Sequence, residues 1–204
     1  MFDLPKTSEI RKPLHKKLIY EKYAAELTGN KKDRFDTDIS RMIITNEISE
    51  VSVNIKATEE VSSIFVLQVE LKRKEYDDKN IIMISKLFGQ KILIVLHYKD
   101  AYQLAIYETR LLKSDWKNEE EISLKLKGLD LGSVWDNFVT QISGINVQDG
   151  NTLVEQINLE SEKEKLRKQI AELEIKARKE VQSKKKFEMV QRVNLYKERL
   201  RNMQ

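Results

Sequence analysis

Ile64-Phe65-Val66-Leu67-Gln68-Val69-Glu70-Leu71-Lys72 is a β-branched and apolar run of the length a central strand needs, and its reading decides the fold class. Successive strand residues point to opposite faces, so Gln68, Glu70 and Lys72 share one face while Leu67, Val69 and Leu71 share the other. Downstream, Asp77-Asp78 opens a segment carrying Ile81, Ile82, Ile84 and Leu87 that stops at Gly89. Acidic residues at a helix start and Gly at its end suit the macrodipole and the C-cap. Ile92-Leu93-Ile94-Val95-Leu96 reads as a buried strand, and Tyr102 to Tyr107 follows after Lys99-Asp100-Ala101, a gap short enough for a hairpin. Upstream, Val51-Ser52-Val53-Asn54-Ile55 alternates strictly and predicts another strand. Leu18, Ile19, Tyr23 and Leu27 fall at helical spacing up to Gly29, and Phe35, Ile39, Met42 and Ile43 repeat it, which predicts two amphipathic helices. Pro5 and Pro13 make residues 1–13 an extended arm. Leu131, Val134, Trp135, Phe138, Val139 and Ile142 form one face of a further helix.

The expected architecture is α/β: a mixed sheet of four or more strands flanked by helices over residues 1–145, a linker at 146–150, and a tail at 151–204. The order of helix, strands, helix and strand is compatible with a restriction-endonuclease-like topology. At 204 residues and 40% hydrophobic content, the chain has room for one ordinary core and an appendage. The absence of Cys rules out a disulfide framework and thiolate metal sites, and a reducing cytoplasm is the expected location. The opening Met1-Phe2-Asp3-Leu4-Pro5-Lys6 is unlike a secretion signal, and no apolar run approaches the roughly 20 residues of a membrane span.

The tail has neither Gly nor Pro and reads as one long, basic, coiled-coil-like helix. Leu159, Leu166, Ile170, Leu173 and Ala177 keep one seven-residue register, while Val193, Tyr196, Leu200 and Met203 keep another. The two registers are out of phase, so a break or a change of partner is expected around Gln182-Ser183-Lys184-Lys185-Lys186. Charge is also concentrated here. Residues 1–150 hold 23 basic against 24 acidic residues, and residues 151–204 hold 14 against 9. From Lys176 onward the balance is 10 against 3, a net +7. Lys176, Arg178, Lys179, Lys184, Lys185, Lys186, Arg192, Lys197, Arg199 and Arg201 are therefore candidate phosphate contacts, with a solvated helix flank as the plainer alternative. The apolar register positions Leu159, Leu166, Ile170, Leu173 and Ala177 are candidates for oligomerisation, with the chain's own domain or a larger complex as other partners.

The sharpest catalytic candidate is the set Gln68, Glu70 and Lys72, because a Glu-x-Lys strand resembles those of restriction-type nucleases, where a carboxylate pair holds magnesium and a lysine assists at the phosphate. Such a site needs a second carboxylate on a neighbouring strand, and only Glu50, Glu59 and Glu60 lie near the ends of the expected one. The plainer reading is a strand with one solvated face. His15 and His97, the only histidines, lie in different elements without spaced partners, so no metal site is expected. His97, near the end of a buried strand, reads as a packed residue. A chain with six glycines and no phosphate loop or nucleophile elbow is neither an ATPase nor a Rossmann dehydrogenase, and no small-molecule cofactor is called for. Tyr98, Tyr102 and Tyr107 offer base stacking, but core or cross-strand pairing is the preferred reading, since aromatic residues are ordinary strand formers. Trp135 reads as core and Trp116 as exposed.

Met1 to Lys6, Val69-Glu70-Leu71-Lys72, Ile92 to Tyr98, Leu129-Asp130-Leu131-Gly132-Ser133-Val134-Trp135 and Glu180 to Lys186 together resemble a bacterial and archaeal family known as domain of unknown function 4391. Ser85 and Gly89 stand where that family has an acidic residue and a proline before the next strand. The family's frequent place beside helicases and DNA methyltransferases of restriction-like systems implies a DNA-related accessory role and assigns no active residues. The resulting expectation is a non-enzymatic accessory subunit of a DNA-processing or phage-defence assembly. It would contact protein, DNA or both through its tail, as a homo-oligomer or within a larger complex and away from membranes. A magnesium-dependent nuclease and a structural coiled-coil dimeriser are the alternatives.

Overall fold

A computed structural model describes residues 2–147 and 150–203; positions 148 and 149 of the expected linker, together with Met1 and Gln204, lie outside the described residues. The chain divides into two units, Met1–Gly144 and Ile145–Gln204. In the first, β1 (Glu9–Leu14) leads into α1 (Lys16–Lys22) and α2 (Asn30–Asp38), followed by β2 (Ile39–Ser49), α3 (Glu50–Val53) and β3 (Ser63–Leu71). Then come α4 (Asp78–Ser85), β4 (Lys91–Tyr98), β5 (Ala101–Tyr107), β6 (Leu111–Lys113) and α5 (Leu131–Ser143). The second unit holds α6 (Leu153–Lys179) and α7 (Ser183–Asn202). Among the described residues no helix is long and apolar enough to cross a membrane.

The six strands form one mixed sheet in the order β1-β2-β3-β4-β5-β6. Only β3 and β4 run parallel, joined by the crossover through α4; the remaining neighbours are antiparallel. The two central strands are the apolar runs anticipated from sequence, because strands covered on both faces need apolar residues at nearly every position. On one face Leu67, Val69, Leu71, Ile92, Ile94 and Leu96 pack with Ile19, Phe35, Ile81 and Ile84 from α1, α2 and α4. On the other, α5 lies against β3, β5 and β6, and its Val134, Trp135, Phe138 and Val139 are buried. Asp130 caps α5 by accepting the Ser133 amide at 2.8 Å, and Gly144 ends it at φ 69°, a left-handed conformation that glycine adopts without strain.

Three local readings of the sequence are overturned. Ile39, Met42 and Ile43 are not helical: α2 stops at Asp38 and the chain continues as the long strand β2. Two bulges, between Ile39 and Arg41 and between Ile44 and Asn46, explain the false period. Each bulge inserts one residue, so Ile39 and Met42, three apart, both face the same core. Val51 to Ile55 is not a strand. Ser49 and Ser52 form a capping box, α3 makes one turn, and Asn54 ends it in the left-handed region at φ 55°, leaving Val51 98% exposed. The amino-terminal arm contains an edge strand, β1, where Pro13 is tolerated because an edge leaves backbone donors unpaired.

Asp38, at the junction of α2 and β2, is fully buried and ties the loop after β3 to the sheet. Its carboxylate accepts from Arg73 Nε at 2.7 Å, from the Asp77 amide at 2.9 Å and from Asn80 Nδ2 at 2.9 Å. Its carbonyl accepts the Lys72 amide at 2.8 Å. A buried carboxylate is tolerated when its lone pairs are filled in this way. Glu108 acts similarly, accepting from Lys91 Nζ at 2.6 Å and from the indole of Trp135.

The tail, expected as a long helix with a break or change of partner around Gln182 to Lys186, is two helices that part there. Glu180 to Gln182 leaves the helical conformation just ahead of the charged interruption, and α7 turns back along α6. The physical reason is the phase change. Ala177 ends one apolar stripe, and the next begins with half-buried Met189, so a straight helix would present the two stripes in different directions. Turning back lets one stripe cover the other. Leu166, Ile170, Ala177 and Val193 are buried, with Tyr196, Leu200 and Met203 partly covered. Lys197 Nζ on α7 reaches Glu174 Oε1 on α6 at 2.7 Å.

Candidate functional site

Strand register builds the first candidate. The pairs Arg41↔Glu70, Glu70↔His97 and His97↔Tyr102 place four residues in one cross-strand row over β2, β3, β4 and β5. Neighbouring strands lie about 4.8 Å apart, so adjacent side chains in such a row touch. His97 Nδ1 lies 2.8 Å from Glu70 Oε1, Gln68 Nε2 donates to the same oxygen at 3.1 Å, and Arg41 Nη2 stands 3.5 Å away. A carboxylate only accepts, so Nδ1 carries the imidazole proton. Glu70 Oε2 and His97 Nε2 accept from none of the described residues. The imidazole stacks on Tyr102 with centroids 4.3 Å apart and planes 11° apart.

Partial burial pushes the Glu70 carboxyl up, but the hydrogen bond and charge of His97, with the Arg41 guanidinium, more than offset this and hold it below the usual carboxylate range. Burial raises the Tyr102 phenol, helped by Glu119. The row lies at the carboxyl ends of the parallel strands β3 and β4, the place where open sheets offer a crevice to ligands. Next to it is a cavity of about 360 Å³ lined by Gln68, Ile43, Thr45 and Asn46, with Pro13, Glu9 and Arg11 of β1 at its rim.

The structure unites Gln68 with Glu70 but leaves Lys72 exposed beyond the end of β3. The neighbour opposite Glu70 on β2 is the cation Arg41 rather than the second carboxylate a magnesium site requires. Among the described residues no group of three or more His, Cys, Asp or Glu side chains is placed to share a metal ion. Arg41 and the partnership of His97 and Tyr102 with Glu70 escaped sequence reading. Ile39, Met42 and Ile43 at the start of β2 carry a helix-like spacing, and the parallel pairing of β3 with β4 joins residues 27 apart in sequence. His15 precedes α1 without a capping hydrogen bond. Lys99 and Lys86 sit over the rings of Tyr98 and Tyr107, and Trp116 is half-buried beneath Lys74 rather than exposed.

The second candidate is the end of the helical hairpin. All ten basic residues proposed for phosphate contact are exposed. Six of them, Lys176, Arg178, Lys179, Lys184, Lys185 and Lys186, flank the connection at Glu180 to Gln182, with Glu180 the one acid among them. Basic residues in the last turn of α6 suit its negative end. The first turn of α7 is different: it has no acidic residue and no side-chain cap, so Lys184, Lys185 and Lys186 add to the positive end of the helix dipole. Val181 and Phe187 are exposed amid these cations, at 91% and 63%. Of the residues expected to oligomerise, Leu166, Ile170 and Ala177 are already buried within one chain, and Leu159 and Leu173 are partly so. Pairing with a second copy through this stripe would need the hairpin to open.

The family described as Domain of unknown function (DUF4391) matches residues 2–200, nearly the whole sequence, and the chain belongs to that family. Searches of the curated proteins and of the solved structures found no match.

Proposed function

We propose that this protein is a non-catalytic accessory component of a cytoplasmic DNA-processing or phage-defence assembly, and that it holds nucleic acid through the basic end of its helical hairpin. The observation carrying this reading is the excess of positive charge there: six cations against one acid, Glu180, whose carboxylate accepts the Gln182 amide at 2.9 Å, with three of the cations on a helix start that already repels them. Ordinary solvation gives no reason for this placement, whereas a phosphate backbone relieves it by supplying negative charge at the helix start. The nuclease alternative is less favoured because Glu70 is engaged by Arg41 and His97. The dimeriser alternative is less favoured because the apolar stripe is already covered in one chain.

The test is binding of the full chain and of a K184E/K185E/K186E variant to labelled duplex and single-stranded DNA, across a salt series with magnesium present. The intact protein is expected to bind without cleaving, with an affinity that falls as salt rises. The variant should lose up to about 2.7 from the slope of log affinity against log salt if all three lysines meet phosphates. Equal binding by both proteins, or none by either, would overturn the proposal, and cleavage abolished by Glu70→Gln would revive the nuclease.

A further inference from the structure

We infer that the distal half of the helical hairpin takes unpaired nucleic acid in preference to a duplex, stacking bases on Phe187 and in the groove that opens beside it; this rests on the hairpin reading above and narrows its ligand. Cations alone do not distinguish the two forms, because single strands and duplexes both present phosphates. Apolar surface does. A duplex keeps the faces of its bases stacked on one another, whereas an unpaired strand exposes them. An exposed ring or an apolar groove set among cations therefore gains its contacts chiefly from the unpaired form.

The hairpin carries both features. Phe187, 63% exposed, follows directly on Lys184, Lys185 and Lys186. Its neighbours on the surface of α7 are Ser183, Lys184 and Gln191, all exposed and polar, and Val190, which leads into a groove of about 410 Å³ between α6 and α7. Gln191 also separates the ring from Leu195 farther along, so Phe187 is a platform of base size and not part of the continuous apolar stripe by which a helix lies in a membrane surface. Buried Ala177 and Val193, with Val190, give the groove apolar walls. On its rim Lys197 is already paired with Glu174 at 2.7 Å, whereas Arg178 and Lys186 are exposed and form no ion pair among the described residues. An apolar slot edged by such cations fits a base whose own phosphate lies outside it. Stacking tolerates every base, so the preference is for strandedness and not for sequence.

Fluorescence anisotropy of the full chain with labelled oligothymidylate, oligouridylate and a mixed-sequence duplex of equal length, at one moderate salt concentration, tests the inference. At least one single strand should bind about tenfold tighter than the duplex. A lead for oligothymidylate would assign the ligand to DNA, a lead for oligouridylate to RNA, and equal affinity to both; all three uphold the site. Phe187→Ala should weaken the single strands about fivefold or more and leave the duplex unchanged. Phe187→Trp should keep the affinity and Phe187→Leu should lose it, a pattern that separates stacking from general apolar contact. The side chain is exposed, so none of these changes touches the core. A duplex bound as tightly as the single strands, a loss on Phe187→Ala that is equal for both forms, or full affinity in Phe187→Leu would overturn the inference, as would Phe187-dependent binding to phosphatidylserine vesicles in place of oligonucleotides. If K184E/K185E/K186E weakens every oligonucleotide while Phe187→Ala weakens none, the hairpin holds nucleic acid without preferring unpaired strands; if no oligonucleotide binds, both readings fall.

Discussion

Carboxylates in the α/β unit and cations in the helical hairpin are both abundant, yet they do opposite physical work. Asp38, Asp36, Glu70 and Glu108 each gather two or more donors and turn charge inward to fix loops, helices and strands to one sheet. The hairpin arms leave nearly all their described cations facing outward, with Lys197 to Glu174 an ion pair that joins them. A charge with several buried partners is architecture. A row of charges without partners is a surface waiting for one, and the difference is legible only once the count of donors around each group is known.

The contrast predicts a graded series of effects. Asp38→Ala should be the most damaging, destabilising the fold by about 3 kcal/mol in urea unfolding, because it strands the Asp77 amide and the Asn80 side chain in the interior. A shift below about 1 kcal/mol would mean that Asp38 is no clamp. Ile170→Ala comes next, at about 2 kcal/mol, and hydrogen exchange should locate the loss in α6 and α7 while leaving β3 and β4 protected. Glu70→Gln should act through pH. A carboxyl held below its usual range contributes stability above about pH 4.3 and forfeits it as pH falls through the folded value. The gap in melting temperature between wild type and variant should therefore narrow from about pH 5 to pH 3, and a constant gap would contradict the ion-pair account. Smallest of all, Lys197→Ala should leave the unfolding midpoint where it was, since both partners of its ion pair are substantially exposed.

How much of this was readable in advance depended on whether the cause was local. The apolar runs of β3 and β4, the Asp-capped start of α4 and the stripe of α5 carry their own signals and were anticipated, although α4 ends at Ser85 with Lys86 as its cap, short of the stop expected at Gly89. The strand β2 was hidden because a bulge converts a strand's period of two into a spacing of three, the same spacing a helix uses. The short edge strands β1 and β6 take their identity from pairing rather than composition. At the candidate site, Gln68 and Glu70 stood out as a sequence pattern, but Arg41, His97 and Tyr102 join them only through register across four strands. The basic residues of the hairpin were all visible as a count. A break near Gln182 to Lys186 was legible from the phase change, but their gathering at the start of a second helix was not, because phase alone does not say that the chain reverses.

That reversal makes the hairpin a ruler. Its apolar positions repeat every seven residues, so inserting seven into each arm would preserve the phase of both stripes and carry Lys184 to Lys186 about 10 Å farther along the helix axis. Reach could thus be lengthened or shortened in fixed steps without redesigning a single contact in the sheet. Insertions far from a whole number of turns would rotate one stripe away from its counterpart, so length variants of the two arms should come in matched steps that keep phase.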